Sequence, residues 1–461
     1  MIWFGLLALG CTLWMLHYRT AAIIVFFFFL TNGFQVIPVT WFDTGVGIQK
    51  GADFALLLLM FVLSTNINQH VRLLRTDTVA RYAAVLTVFI LIGIVYSVVI
   101  EHYDVMNVLR AARRFLFILG YFVFRSLKKD EIHQILTIML GVTVMQCCIF
   151  LLQFAAGITL LNRQSDEIME LSTKGAVGDW KRLYNLPEYT VFYLFYLIFT
   201  NKIRIRYRAV LGTILAIAFM CTLHRSWLSS FVIVLCVIGF INTQGLFKKI
   251  GIVFSVMLIS LLPLFVPVLG ERLDSGIEDF TKAINGGYVA EKGFDDNLSF
   301  RIAHVFERFD FITQTPERMI FGIGFLTEDA GQSQYLNFSV GWRDKYGTRQ
   351  IDTGDISWSI MFLWLGFVGT ALYVIFYFKS MKTLFVHRST SISNIGIAYM
   401  LLYFMISFTS SVYIEISTIV YVVMVVSAAL SDVADREESY NLELSRILQS
   451  LPNGRRATSF S

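Results

Sequence analysis

The sequence predicts an all-α, polytopic membrane protein of about twelve or thirteen transmembrane helices, with a large helical loop on its outward side. Three observations carry this. Of 461 residues, 56% are hydrophobic and only 15% are charged, against about 25% charged in a soluble domain. The apolar residues fall in separate runs, most of them close to the ~20 residues that a hydrocarbon core of roughly 30 Å requires. The connections between the runs alternate between strongly and weakly basic. This composition excludes an ordinary soluble enzyme, a disordered chain and a disulfide scaffold.

In order, the runs lie near 1–18, 20–38, 51–66, 80–100, 105–124, 131–156, 187–201, 209–223, 226–242, 250–268, 356–378, 394–411 and 414–432. The choice between twelve and thirteen turns on the boundary at 19–20 and the split at 224–225. The first run has no basic n-region and no small-residue cleavage site, so it is expected to be a retained helix. One set of connections, with the C-terminal tail, holds 20 Lys and Arg, whereas the other, leaving out 269–355, holds six. The positive-inside rule puts the richer set in the cytoplasm. The predicted organisation is a bundle over 1–268 with a short outward loop at 157–186, then a large outward loop at 269–355. Transmembrane helices over 356–432 and a cytoplasmic tail at 433–461 complete it, with the last ~25 polar residues expected to fray.

Loops longer than about 12–15 residues are usually functional. Segment 269–355 has 87 residues, with 15 acids against nine Lys and Arg. Within it, Leu298, Ile302, Val305, Phe306, Phe309 and Ile312 follow helical spacing, and Pro316 closes the run. Arg301, His304 and Arg308 form the opposite stripe. Spacing alone favours a helix lying on the membrane with that basic face in water.

Cations near the outer ends of helices stand against the charge rule. Arg110, Arg113 and Arg114 share one helical face. Arg225 interrupts the apolar stretch between 209 and 242, and Arg182 stands just ahead of another helix. Intramembrane charges are costly and mark functional sites by default, and planar guanidinium groups suit the oxygens of a diphosphate. Each arginine alone also fits an interfacial anchor.

The five cysteines lie in apolar stretches without metal-ligand spacing and read as small buried hydrophobes. Neither a phosphate-binding loop nor a metal motif is present, so no metal and no cofactor are expected. The tail is too short for a nucleotide-binding domain, and nothing points to nucleic acid.

Three stretches resemble the O-antigen polymerase and O-antigen ligase superfamily of bacterial surface-polysaccharide enzymes. They are Arg182-Leu-Tyr-Asn-Leu-Pro187, Leu223-His-Arg-Ser-Trp-Leu-Ser229, and Arg301 through Pro316 to Gly322-Ile-Gly-Phe325. A helix start at Asp355, followed by Gly366-Phe-Val-Gly369, matches the family's next element. The resemblance covers about 180–370. The ligases open that element with His-Asn, where this chain has Asp355-Ile356, a departure that suits the polymerases better.

The resemblance implies a GT-C-like fold in the bacterial inner membrane, with an active site facing the periplasm. It implies a metal-independent glycosyltransferase that moves a glycan from undecaprenyl diphosphate to a sugar hydroxyl. Arg182, Arg225 and Arg301 are then the diphosphate-binding candidates, and Arg110, Arg113 and Arg114 would hold the lipid carrier. The general-base candidates are Asp355, His304 and Asp352, although Asp355 equally suits an ordinary helix cap. The expected partners are the undecaprenyl diphosphate-linked oligosaccharide, the bilayer and a chain-length regulator. Two alternatives stay open: an O-antigen ligase with lipid A–core as acceptor, and a lipid-linked oligosaccharide flippase. A flippase is expected to show matched halves, and none is visible here. Trp180, Tyr184, Tyr335, Trp342, Tyr346 and Trp358 lie in or beside outward segments, where rings suit both sugar stacking and an interfacial belt. Glu415, near the final outward turn, has no assigned role.

Overall fold

A computed structural model describes residues 2–45, 49–162, 185–200, 203–222, 224–242, 297–328, 330–336, 338–341, 351, 354 and 356–450, with only the helical backbone given for 435–450. Every regular element among them is helical. In chain order these are α1 (Ile2–Met15), α2 (Arg19–Leu30), α3 (Gly51–Thr65), α4 (Ile67–Thr76), α5 (Thr78–Val99), α6 (Val105–Leu116), α7 (Gly120–Arg125) and α8 (Lys129–Ala156). Then come α9 (Thr190–Phe199), α10 (Ile205–Met220), α11 (Arg225–Asn242), α12 (Asn297–Thr313), α13 (Pro316–Phe321), α14 (Ser357–Val386), α15 (Ser391–Ile406) and α16 (Ile416–Ser450).

Five of these helices are long and apolar enough to cross a membrane: α5, α8, α11, α14 and the 416–434 part of α16. A sixth crossing results if α3 and α4, bent by 83° at their junction, count as one. The described helices therefore fit a multi-pass membrane protein. The runs expected at 1–18, 20–38, 187–201 and 394–411 are helices of 14, 12, 10 and 16 residues. At 1.5 Å per residue these reach less far than a full crossing. Run 105–124 is broken by a 3-10 turn at Phe117–Leu119, and run 250–268 lies outside the described residues. Where fraying was expected, the backbone of α16 continues as helix to Ser450.

Side chains sort as lipid surroundings demand. On α5, Val85, Val88, Leu91, Ile92, Val95 and Val99 are exposed at helical spacing, whereas Thr87 and Ser97 are buried. Apolar association supplies little drive between helices in lipid, so close backbone approach and buried hydrogen bonds hold the bundle. α14 is its centre, packed against α5, α12, α13, α15 and α16. A Cβ on Gly369 would lie 2.3 Å from the Phe89 ring, and one on Gly396 2.4 Å from Val425. Tyrosines fill the seam of α9, α15 and α16. Tyr189 stacks on Tyr421 at 4.1 Å, and from α14 Tyr377 donates to the Met400 carbonyl of α15 at 2.6 Å. Of the cysteines only Cys147 is fully buried, while Cys148 on the next face of α8 is exposed. An exposed cysteine corrects the expectation of five buried ones, because α8 turns one face away from the core.

One group of ion pairs lies at the end of the bundle that carries the basic connections. Arg125 lies 3.6 Å from Asp77, which also accepts from Tyr121 at 2.6 Å. Asp432 meets Lys129 at 3.4 Å and His133 at 3.3 Å.

Candidate functional site

The opposite end begins with a left-handed turn. Asn32, Gly33, Phe34 and Gln35 all have positive φ, a conformation that persists only where contacts over-determine it. Here they do. The Asn32 side chain accepts from Gly51 N at 2.9 Å, and Gln146 donates to the Phe34 carbonyl at 2.6 Å and to Gln35 Oε1 at 3.2 Å. A second clamp lies further along α8. Buried Gln153 donates to Asn185 Oδ1 at 2.5 Å and accepts from the backbone of Leu160 and Leu161, each at 3.1 Å. Asn185 in turn donates to the Leu161 carbonyl at 2.6 Å. The Asn185-Leu186-Pro187 lead-in to α9 is therefore bonded to α8 through this asparagine.

The α6 arginines each have a different partner. Arg113 reaches Asp53 of α3 at 2.6 Å, with the two side chains 13% and 19% exposed. Asp53 also accepts from Gln49 N at 3.1 Å and Lys50 N at 3.0 Å. Arg114 lies 4.6 Å over the Trp364 ring of α14, an attraction that strengthens as water is excluded. Arg110 donates to Asn107 at 3.3 Å.

The first turns of α14 gather the other elements. Ser359 Oγ lies 2.9 Å from His304 Nδ1 of α12, with both residues fully buried. Trp364 donates to the Leu326 carbonyl at 3.0 Å. Gly366 interrupts the helix at φ 61°. There a Cβ would lie 2.5 Å from the Ile320 carbonyl and 2.7 Å from Gly322 N. The Gly-x-Gly-Phe stretch is seated reciprocally: Ile323 N donates to the Leu363 carbonyl at 2.7 Å, and Phe325 N to Ser97 Oγ of α5 at 2.8 Å.

α12 corrects one expectation. Its basic stripe is not solvated: His304 and Arg308 are fully buried, whereas Ile302 and Phe306 are 41% and 65% exposed. The reason is the supply of partners on the protein side. Arg308 donates to Glu307 at 2.5 Å and lies 4.2 Å over Phe338. Glu307 accepts from the backbone of Ser339 and from Val340 N at 2.9 Å. Arg301, one turn before His304, is half-buried. In the turn between α5 and α6, burial and the neighbouring Glu101 push the Tyr103 phenol up to about 12, with Arg318 opposing them. It stays a neutral donor at ordinary pH.

Arg225 opens α11, which packs on α15 through Trp227 and Tyr403, 5.8 Å apart. It therefore sits on the α15 side, whereas Arg301 and His304 sit together on α12. Arg182, Asp352 and Asp355 lie outside the described residues. Among the described residues, no three His, Cys, Asp or Glu side chains group as a metal site would require. Asp53, Glu307, Ser359 and Trp364 are the participants that sequence reasoning missed. Asp53 reads locally as an acid in the first turn of a helix, and its arginine is 60 residues away. The chain matches no family model, and no curated protein matches it.

Proposed function

We propose that this chain is a polysaccharide polymerase of the O-antigen type, a GT-C-like glycosyltransferase of the bacterial inner membrane working at the periplasmic face. One observation carries the reading. Residues 359–366 of α14 join two of the stretches on which the resemblance rests, since Ser359 meets His304 and Gly366 meets Gly322, and Trp364 in the same turns meets Arg114.

In the proposed reaction the hydroxyl oxygen of an acceptor sugar attacks the anomeric carbon of the donor. The bond from that carbon to the undecaprenyl diphosphate breaks, and the diphosphate leaves with the electron pair. The hydroxyl proton passes to a base, for which Asp355, His304 and Asp352 are the candidates. Charge grows on the departing diphosphate, so preorganised cations lower the barrier. Arg182, Arg225 and Arg301 take that role, while the α6 arginines hold the carrier. Arg113 serves as half of an ion pair, and Arg114 is oriented by Trp364.

The test is a gel of surface polysaccharide and lipid-linked glycan from cells that lack this chain. The cells are then restored with the wild type or with Arg225→Ala. Single repeat units on core lipid, with the ladder gone, support polymerisation. Long chains held on the carrier and absent from core mean a ligase, and units stranded on the cytoplasmic face mean a flippase. An unchanged ladder overturns the proposal.

A further inference from the structure

Helix α4 carries an inference independent of the catalytic reading. It follows α3 at 83°, so its axis turns sharply away from that of α3. Its ten residues, Ile67 to Thr76, divide into three sectors around the axis. His70, Leu73 and Leu74 turn toward the bundle, where the His70 ring packs edge-on to Phe122 at 5.8 Å. Ile67 and Val71, one turn apart, are 61% and 45% exposed. Beyond them, Arg72 and Arg75 are exposed, and Arg81 is exposed just past the helix.

The order of the sectors matters. The exposed apolar edge lies between the protein-facing side and the basic side. A helix in the plane of a leaflet needs that order: apolar side chains dip toward the acyl chains while guanidinium groups stay at headgroup depth. The local charge is one-signed as well. Asp77 is the lone acid between residues 65 and 81, and it is turned inward. Its carboxylate caps α5 through Val79 N and Ala80 N and takes Tyr121 and Arg125. The surface presented by Arg72, Arg75 and Arg81 therefore carries no compensating acid of its own segment.

We infer that α4 is an interfacial anchor that binds anionic phospholipid headgroups, with Arg72 and Arg75 on the phosphates and Ile67 and Val71 among the upper acyl carbons. The match is one of charge and depth, and the occupant is the leaflet itself.

The experiment uses the full chain in vesicles of equimolar phosphatidylcholine and phosphatidylglycerol, with a benzophenone amino acid at position 71. Irradiation is expected to give a lipid adduct enriched at least about threefold in phosphatidylglycerol. The R72Q/R75Q variant, altered only at exposed positions, is expected to bring that ratio back toward one. The K382Q/R388Q variant, which removes two exposed charges elsewhere, is expected to leave it unchanged. A benzophenone at buried position 83 supplies the background. An adduct without headgroup preference, or one indifferent to R72Q/R75Q, overturns the inference. So does the absence of any lipid adduct, or a cross-link to a second copy of the chain.

Discussion

Gly322 lies so close to Leu363 that a Cβ there would stand 1.9 Å from the Leu363 carbonyl oxygen. Both Gly322 and Gly366 have left-handed φ, at 67° and 61°. The turn after α13 and the break in α14 are thus two halves of one junction, held by the Ile323 N–H on that same carbonyl.

Gly322→Ala therefore combines a backbone strain of about 1–3 kcal/mol with a collision against main chain. We expect a total loss above about 4 kcal/mol, seen as a collapse of monodisperse yield and melting temperature in detergent. Gly212→Ala, where nothing lies within 4 Å, is the control. It should be neutral or slightly stabilising, because alanine favours a helix interior. Equal behaviour of the two variants would refute the junction.

Arg113 and Asp53 are mostly desolvated, so either one left alone is costly. Arg113→Ala should lose about 2–4 kcal/mol of stability. In a double-mutant cycle with Asp53→Asn, a coupling above about 1 kcal/mol is expected. Additive losses would mean that the contact carries no energy.

Gln153→Leu leaves the Leu160 and Leu161 amides without their acceptor and Asn185 Oδ1 without its donor. An orphaned buried polar group costs about 1–3 kcal/mol, so Gln153→Leu and Asn185→Leu should each be clearly destabilising. Because both variants break the same clamp, the double variant should fall short of their sum. Thermal unfolding of the three proteins decides this.

Under the proposed function, Arg225→Ala should lower polymer yield at least about tenfold, or about 1.4 kcal/mol of barrier. Arg114→Ala and Trp364→Ala should resemble one another, and combining them should do little more, since ring and guanidinium act as one unit. Ladder densitometry of the three strains is the measurement, and independent multiplicative losses would separate the pair.

Helix α12 shows where local reading stops. The spacing of Leu298 through Ile312 located a helix, observed as Asn297–Thr313, and the same spacing sorted its residues into an apolar and a basic stripe. Which stripe meets protein depended on Glu307, Phe338 and Ser359, and two of these lie on other segments. Asn185 is a second case. Its position before Pro187 marks a helix start, yet its bonds run to Gln153 and Leu161 on the preceding helix and loop.

The apolar runs, the helix starts and the alternation of basic connections are properties of short stretches. They follow from how side chains partition between water and hydrocarbon, so residue order alone is enough to read the helical class and where cations gather. The pairing of Arg113 with Asp53, the burial of His304 and the meeting of Gly322 with Gly366 came only with folding. These contacts join residues far apart in the chain, and in lipid they are selected by close backbone approach and buried hydrogen bonds. Neither of these leaves a periodic trace in the sequence.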